Sequence, residues 1–163
     1  MLRKLALKDA PFMLEWMHDR EINCNFQYPF ADMELEQVNK FIEGSYTDEN
    51  EHFAIVNEQD EYLGTISLKN ISYTNASAEY AVVTRATAQG TGIAKKATQE
   101  LINYAFKEKG LHKIYLNVLQ DNERAIKFYE KCGFVKEGVS IDAIKINGEY
   151  RNLIWYGIIN NNK

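Results

Sequence analysis

A glycine-rich turn between a strand pattern and a long helix pattern is the feature that most constrains the fold. Residues 78–84 alternate as a strand, residues 89–92 form the turn, and a helix pattern runs over 93–109 before another apolar strand. Backbone N–H groups exposed at such a helix start, together with the helix dipole, suit a phosphate or pyrophosphate. Gly90 and Gly92 allow the torsions and the close approach that this ligand needs.

Two phosphate motifs do not fit this turn. A P-loop requires Gly-Lys-Ser/Thr after four spacers, and the turn has none. The dinucleotide fingerprint requires a third glycine in an early strand–helix–strand unit, whereas this turn lies in mid-chain. Taken alone, the turn also fits an ordinary tight connection between a strand and a helix.

The remaining elements predict one α/β domain over residues 1–163, since that length suits a single core. Asp9 and Asp32 are expected to begin the first two helices, and Asn147-Gly148 predicts a hairpin between the last two strands. The result is a mixed sheet of about seven strands with helices on both faces. Its strands are expected at 2–7, 52–57, 62–69, 78–84, 113–119 and twice within 134–159, with a late helix at 123–131.

Composition excludes several classes of protein. The chain is 45% hydrophobic with 2 Pro and 9 Gly, which argues against disorder and low complexity. It has no apolar run near the roughly 20 residues that span a bilayer and no signal-peptide core. Two cysteines are too few for a disulfide scaffold. We therefore expect a cytoplasmic protein with reduced thiols and no membrane partner.

Charge is distributed unevenly along the chain. Residues 1–80 carry 6 basic and 15 acidic groups, a net charge of −9, and residues 81–163 carry 13 and 8, a net charge of +5. The halves could attract a cation and an anion respectively, although solvated surface explains the same pattern. Nucleic-acid binding is not expected, because there is no overall basic excess.

A second motif supports a specific interpretation of the turn. Asn122, Ala125, Tyr129, Gly133 and Phe134 fit the pattern Asn-x-x-Ala-x-x-x-Tyr-x-x-x-Gly-Phe. Together with Gln89-x-x-Gly92-x-Ala94, this pattern resembles the GCN5-related N-acetyltransferase (GNAT) superfamily. The element order also resembles the GNAT fold over essentially the whole chain. Segments at both ends resemble three GNAT branches, which acetylate spermidine or spermine, ribosomal-protein N-termini, or amino sugars.

The resemblance implies that acetyl-CoA is the co-substrate and that no metal is used. It implies that the strand 82–84 parts from the next parallel strand and pairs with the pantetheine arm as an extra strand would. It implies that the turn holds the pyrophosphate and that Asn122 caps its helix, contacts the cofactor, or does both. The implied cofactor residues are Val82, Val83, Thr84, Gln89, Gly90, Thr91, Gly92, Ile93, Ala94, Lys95, Asn122, Ala125 and Tyr129. Candidates for the outer phosphates, each equally explained as solvated helix surface, are Lys95, Lys96, Arg124, Lys127 and Lys131.

Two residues are the candidates for catalysis. A phenol with a pKa of about 10 can donate a proton to the departing thiolate. The resemblance implies this role for Tyr129. Without it, Tyr129 would be interpreted as a core residue of an amphipathic helix. The amine must lose a proton before it attacks, and Glu79 is the first candidate base, directly or through a water. Weaker candidates for the base are Glu15, His18, Asp32, Glu34 and Glu36.

Cys132 is interpreted as structural, because it ends a helix, where the dipole opposes a thiolate, and has no paired histidine. The three histidines, His18, His52 and His112, lack metal-ligand spacing.

The acceptor is predicted only by class. Residues 32–61 carry ten acidic groups against one lysine, and in this family the first two helices and their loop form part of the acceptor site. A small cationic amine such as a polyamine is therefore favoured. The aromatic residues of the loop at 24–31 could contact the acceptor or could only anchor the loop by hydrophobic packing. An amino sugar, a protein N-terminus and a non-catalytic acyl-CoA-binding role remain alternatives, and a homo-oligomer is possible.

Overall fold

The structure, a computed structural model, describes residues 1–161. A sheet of seven strands within that range has the spatial order β1-β2-β3-β4-β5-β7-β6. The strands are β1 Leu2–Lys4, β2 Glu51–Val56, β3 Tyr62–Ser72, β4 Ser77–Thr84, β5 Lys113–Leu119, β6 Val135–Ile146 and β7 Glu149–Ile159.

Helices fill the connections between the strands. The α-helices of the described range are α1 Ala10–Met17, α2 Arg20–Asn23, α3 Leu35–Glu43, α4 Ile93–Asn103 and α5 Glu123–Lys131. Short 3₁₀ turns cover Leu7–Asp9, Phe30–Asp32 and Ala86–Ala88, and a π-helical segment, Tyr104–Glu108, continues α4. In residues 1–161, no helix has both the length and the apolarity needed to cross a bilayer.

β4 and β5 are the one parallel pair in the described sheet, and α4 is the crossover helix that joins them. The pairing is short. It joins Ser77 to Lys113, Ala78 to Ile114 and Glu79 to Tyr115, and beyond these positions the two strands diverge. The sheet therefore contains a cleft between the C-terminal halves of β4 and β5.

Alternation along the strands builds two separate cores. On one face, α4 and α5 pack on a core that includes Tyr80, Leu101 and Leu116. On the other face, α1 and α3 pack on a second core whose sheet residues come from β2, β3 and, at Val83, β4. The predicted layering of helices on both faces is confirmed, but the second layer covers only the β1–β4 side of the sheet.

The first strand is shorter than predicted. It ends at Lys4 rather than residue 7, because the Ala6 N–H donates to the Asp9 carboxylate (2.9 Å) and turns the chain. Asp9 is 1% exposed and also takes two bonds from the Arg3 guanidinium, at 2.8 Å each. It occupies the N-cap position of α1 without capping it, so the predicted cap is wrong.

Helices α3 and α4 also differ from prediction. Asp32 lies in a 3₁₀ turn, and α3 begins three residues later, where the Gln37 side chain accepts from the Glu34 N–H (2.8 Å). The helix predicted to reach residue 109 is α-helical only to Asn103. Lys109 N–H then bonds to the Tyr104 carbonyl (3.1 Å), an i→i−5 bond that widens the last turn.

A buried carboxylate anchors the π-helical end of α4 to the sheet. Glu51, at the start of β2, is 3% exposed and its Oε1 accepts from the Tyr104 hydroxyl (2.9 Å) and from Lys109 Nζ (3.2 Å). Its Oε2 is buried without a hydrogen-bond partner among the described residues. The π-helical segment thus brings both donors to one carboxylate, an arrangement that helical periodicity does not encode.

Candidate active site

The cleft between β4 and β5 has a free strand edge on its β4 side. Val82, Val83 and Thr84 pair with Ile66, Thr65 and Gly64 of β3, but no strand of the described residues pairs with residues 80–84 on the side of β5. Backbone groups on that edge would be costly to bury without partners. They can be satisfied by an extended ligand lying in the cleft as a strand would. This is the geometry implied for the pantetheine arm.

The turn after β4 leads directly to the start of α4. Gly90 and Gly92 have φ of 77° and 83°, and Gly92 is the N-cap residue of α4. The first i→i−4 bond at this end joins the Lys96 N–H to the Gly92 carbonyl (3.2 Å), and the Ile93 N–H donates to Thr91 Oγ1 (3.4 Å). Among the described contacts, the Ala94 and Lys95 amides therefore have no partner. An ideal Cβ on either glycine would meet nothing within 4 Å.

The other turn residues complete this cradle. Thr91 donates from its hydroxyl to the Ala88 carbonyl (2.5 Å), which fixes the turn, while Gln89 is exposed. Free amides at a helix start beside open space fit a pyrophosphate. Ile93, Ala94 and Lys95 begin α4 and adjoin this space, so the residues present fit acetyl-CoA.

The later helix borders the same end of the sheet. Asn122 Oδ1 accepts from the Ala125 N–H (3.3 Å), so the expected cap of α5 is present, and the side-chain amide NH₂ stays available to a ligand. The basic residues expected to reach the outer phosphates are all exposed on α4 and α5, which is compatible with both interpretations offered for them; they are Lys95, Lys96, Arg124, Lys127 and Lys131.

Tyr129 projects from α5 towards β4. Its ring packs edge-on against Tyr80 (5.9 Å between centroids, 90° between planes) and also contacts Phe134 (6.2 Å). Within residues 1–161 its hydroxyl has no hydrogen-bond partner. Burial, with a smaller contribution from the nearby Cys132, raises the Tyr129 pKa to about 12. The phenol therefore keeps its proton at neutral and moderately alkaline pH, as an acid must.

Cys132 is buried at the end of α5, and burial raises the pKa of its thiol. A thiol of this kind is a poor nucleophile at neutral pH. The geometry thus favours the structural interpretation of Cys132.

Glu79 lies on the opposite face of β4 from Tyr80 and Tyr129. It is the last β4 residue paired with β5, and its carboxylate forms an ion pair with Lys69 (2.9 Å). It is therefore at the inner end of the cleft, but Lys69 competes for its oxygens. Its role as the base stays a prediction.

The weaker candidates for the base are either bonded to other groups or exposed on the surface. Glu15 accepts two bonds from Arg85 (2.6 and 3.0 Å), which lowers the Glu15 pKa, and His18 Nε2 contacts the Met33 carbonyl (2.8 Å). Asp32, Glu34 and Glu36 lie on the exposed approach to α3 and its first turn.

Arg85 was missed by sequence reasoning. It is 8% exposed, follows β4, and joins Glu15 of α1 and Glu61 (3.3 Å) to the strand that enters the cofactor turn. A single arginine immediately after an apolar strand was the available signal.

The aromatic loop, residues 24–31, packs against α1 and reaches the last two strands. Phe26 and Phe30 pack against Trp16 of α1 (6.2 and 5.0 Å), so the expected anchoring is present, whereas Tyr28 is 57% exposed. Gln27 of this loop donates to the Lys145 carbonyl of β6 (3.3 Å). The loop thus extends from α2 to the β6–β7 hairpin.

Comparison with known proteins identifies the family. A family model described as an acetyltransferase (GNAT) domain matches residues 1–135. The chain belongs to the GNAT family. The expectation drawn from the two motifs is confirmed, and with it the GNAT fold and acetyl-CoA-dependent N-acetyl transfer.

Among its GNAT relatives is spermidine N(1)-acetyltransferase of Vibrio cholerae, 33% identical over 93% of this chain and 88% of the relative. The putative ribosomal N-acetyltransferase YdaF of Bacillus subtilis is 32% identical over 59% of this chain and 52% of its own. A crystal structure of the Vibrio cholerae spermidine enzyme with CoA and spermine aligns with a TM-score of 0.88 at 28% identity, covering 98% of this chain and 94% of that one.

Proposed function

We propose that this GNAT enzyme acetylates a small polycationic amine of the spermidine type, by direct attack of the amine on the thioester in a ternary complex. The cleft with Tyr129 at its side carries the proposal, because it provides a proton donor beside the strand edge that would hold the thioester. The relatives named as spermidine N-acetyltransferases, which span nearly the whole chain, support the substrate class.

The residues divide the chemistry between two faces of the sheet. Acetyl-CoA supplies the thioester whose carbonyl carbon the amine attacks. The free edge of β4 presents backbone N–H groups that can stabilise negative charge on the carbonyl oxygen. Tyr129, from the α5 side, donates its proton as the sulfur departs. Glu79, from the opposite face, is proposed to accept the proton of the amine directly or through a water.

Electrostatics also favour a cationic acceptor, although less than the sequence count implies. Of the acidic residues in 32–61, Glu51 pairs with Lys109, Asp60 with Arg3 and Lys8, and Glu61 with Arg85. The remaining excess is found chiefly at Asp32, Glu34, Glu43, Asp48, Glu49 and Glu58, which have no ion pair among residues 1–161. This excess retains a field attractive to cations.

The test is release of free thiol from acetyl-CoA across a panel of acceptors. The panel contains spermidine, spermine, a monoamine, an amino sugar and a peptide with a free N-terminus. We expect the highest kcat/KM with the polyamines. A preference for the sugar or the peptide would assign the enzyme to another GNAT branch, and acetyl-CoA binding without turnover on any acceptor would indicate a non-catalytic domain.

A further inference from the structure

Half of one sheet face is not covered by any helix of residues 1–161. On β4, β5 and β7 the residues that point away from α4 and α5 include Glu79, Tyr115, Asn117 and Trp155. All four are half-buried, and none belongs to a hydrophobic core of the described chain. We call this surface, Tyr115, Asn117, Trp155 and Ser140, the open floor.

The open floor adjoins the cleft on the side that an acceptor can reach. On the opposite face, Tyr80, Phe134 and Tyr129 fill the space between β4 and the helices α4 and α5. An amine therefore has to approach the thioester across the open floor. Tyr115 stands where β4 and β5 part, and Asn117 follows it into the cleft.

Two aromatic rings dominate this surface. Trp155 of β7 pairs across the ladder with Asn117 of β5, and its ring lies 6.3 Å from that of Tyr115. The Trp155 Nε1–H donates to Ser140 Oγ of β6 (2.8 Å), which fixes the orientation of the indole. The hydrogen bond uses only the N–H at the edge of the indole, so the face of the ring is still available for a cation–π contact.

The lysines near the open floor do not oppose a cation there, because each is paired. Lys69 contacts Glu79 (2.9 Å), and Lys113 contacts Glu137 (2.8 Å). One end of the floor is apolar, since Leu119, Ile146 and Leu153 form a small cluster beside it. The Gln27 bond to the Lys145 carbonyl brings the aromatic loop across to the β6–β7 hairpin. The open floor is thus an aromatic surface beside the cleft on which the neighbouring lysines are paired.

We propose that Trp155 and Tyr115 form a specificity subsite for the non-reacting ammonium arm of the acceptor, with Ser140 as the residue that positions the indole. This inference rests on the proposed function and adds the residues that distinguish a polyamine from a monoamine. Cation–π contact with Trp and Tyr provides the attraction, and the apolar cluster accommodates the methylene chain.

The test compares 1,8-diaminooctane with n-nonylamine, which have equal chain lengths and differ in the second ammonium. Trp155→Leu should lower kcat/KM for the diamine by about fivefold to thirtyfold, through KM, and leave the monoamine and the KM of acetyl-CoA unchanged. Trp155→Phe, which keeps an aromatic face, should lose less. Ser140→Ala should raise the diamine KM by a smaller factor.

Tyr150→Leu is the matched control, because Tyr150 is an aromatic residue of the same strand, 62% exposed, on the other face. It should leave the diamine preference unchanged. The proposal would be overturned if Trp155→Leu lowered kcat/KM equally for both amines, or for neither. If that variant does not fold, Trp155→Phe and Ser140→Ala decide the question by the same ratio.

A second copy of this chain covering the open floor is the competing explanation. It predicts that Trp155→Leu changes the oligomeric state by size-exclusion chromatography while the ratio of diamine to monoamine kcat/KM stays constant. That result would also overturn the subsite. If the wild-type enzyme acetylates no amine, the proposed function fails instead, so the two failures are distinguishable.

Discussion

The Tyr129 hydroxyl lies at the boundary between a packed core and the cleft. Its ring is held by Tyr80 and Phe134, and its oxygen has no partner among the described residues. A core tyrosine usually finds a hydrogen-bond partner for its hydroxyl when buried. Tyr129 is only partly buried, so its unpaired oxygen is accessible to a substrate that enters the cleft.

Tyr129→Phe should keep the fold and reduce turnover. It removes only the hydroxyl, so the ring contacts persist, and loss of general acid catalysis typically costs about 10² to 10⁴ in rate. We expect a fall of that order in kcat with little change in acetyl-CoA affinity. Steady-state rates and a melting curve measure both effects, and wild-type turnover would exclude Tyr129 from the mechanism. Since the hydroxyl keeps its proton up to about pH 12, wild-type activity should show no loss from Tyr129 ionisation below about pH 11.

Gly92→Val should block the pyrophosphate. The φ of 83° is unfavourable for a β-branched residue, and the new side chain would occupy the space in front of the free helix amides. We expect a stability loss of about 1–3 kcal/mol and a large loss of acetyl-CoA binding by calorimetry. Gly148→Val is the control, because Gly148 also has positive φ (82°) but lies in the hairpin turn. A folded Gly92→Val variant that binds normally would refute the cradle.

At the scale of single elements, the sequence predicted what periodicity and turn chemistry encode. The strands after β1, the hairpin at Asn147-Gly148 and α5 with its Asn122 cap agree with the pattern. The errors fall where a side chain from a distant element decides the backbone. Asp9 binds Arg3 instead of capping α1, and Glu51 of β2 gathers Tyr104 and Lys109 at the end of α4.

The residues of the candidate site also fall into those that local sequence predicts and those that only tertiary contacts bring together. The glycine turn and Tyr129 were found because their chemistry depends on local spacing along the chain. Trp155 and Tyr115 meet only through the pairing of β5 with β7, and Arg85 meets Glu15 only through packing of α1. Contacts between distant parts of the chain leave no spacing that can be read in one sequence.

Lys109→Met tests the anchorage of α4. It leaves the Glu51 carboxylate buried with the Tyr104 hydroxyl as its one remaining donor among the contacts described, and breaking a buried pair costs about 3–5 kcal/mol. Urea denaturation should show a loss of that order, and the double variant Glu51→Gln/Lys109→Met should recover much of it. Lys107→Met, exposed in the same segment, should change stability by less than about 0.5 kcal/mol. Equal stability of the Lys109 and Lys107 variants would show that the pair is not structural.

At the scale of the whole molecule, the charges match the two substrates. The N-terminal half, at −9, provides α1–α3 and the aromatic loop, whereas the C-terminal half, at +5, provides the helices around the cofactor turn. The basic half thus attracts an anionic cofactor to the turn, and the acidic half attracts a cationic acceptor towards the cleft.

Added salt should therefore slow the enzyme at low substrate concentration. The Debye length falls to about 8 Å at physiological ionic strength, which screens exposed charges. We expect kcat/KM for both acetyl-CoA and the best amine to fall several-fold from low to physiological salt, with kcat nearly constant. Sucrose at matched osmolality is the control. A salt-independent kcat/KM, or a neutral or anionic best acceptor, would contradict electrostatic steering.

The divergence of β4 and β5 leaves a gap in the middle of the sheet that a bound ligand would fill. A ligand that pairs with residues 80–84 would supply hydrogen bonds that residues 1–161 do not make on the β5 side of that strand. Ligand at one hundred times its Kd stabilises a folded protein by about 2.7 kcal/mol. The melting temperature should therefore follow the acetyl-CoA concentration, and hydrogen exchange should show new protection first in β4 rather than in the remote strand β1. In a cell, the lifetime of this enzyme would then follow the supply of acetyl groups, because the molecule is most resistant to unfolding when it has something to transfer.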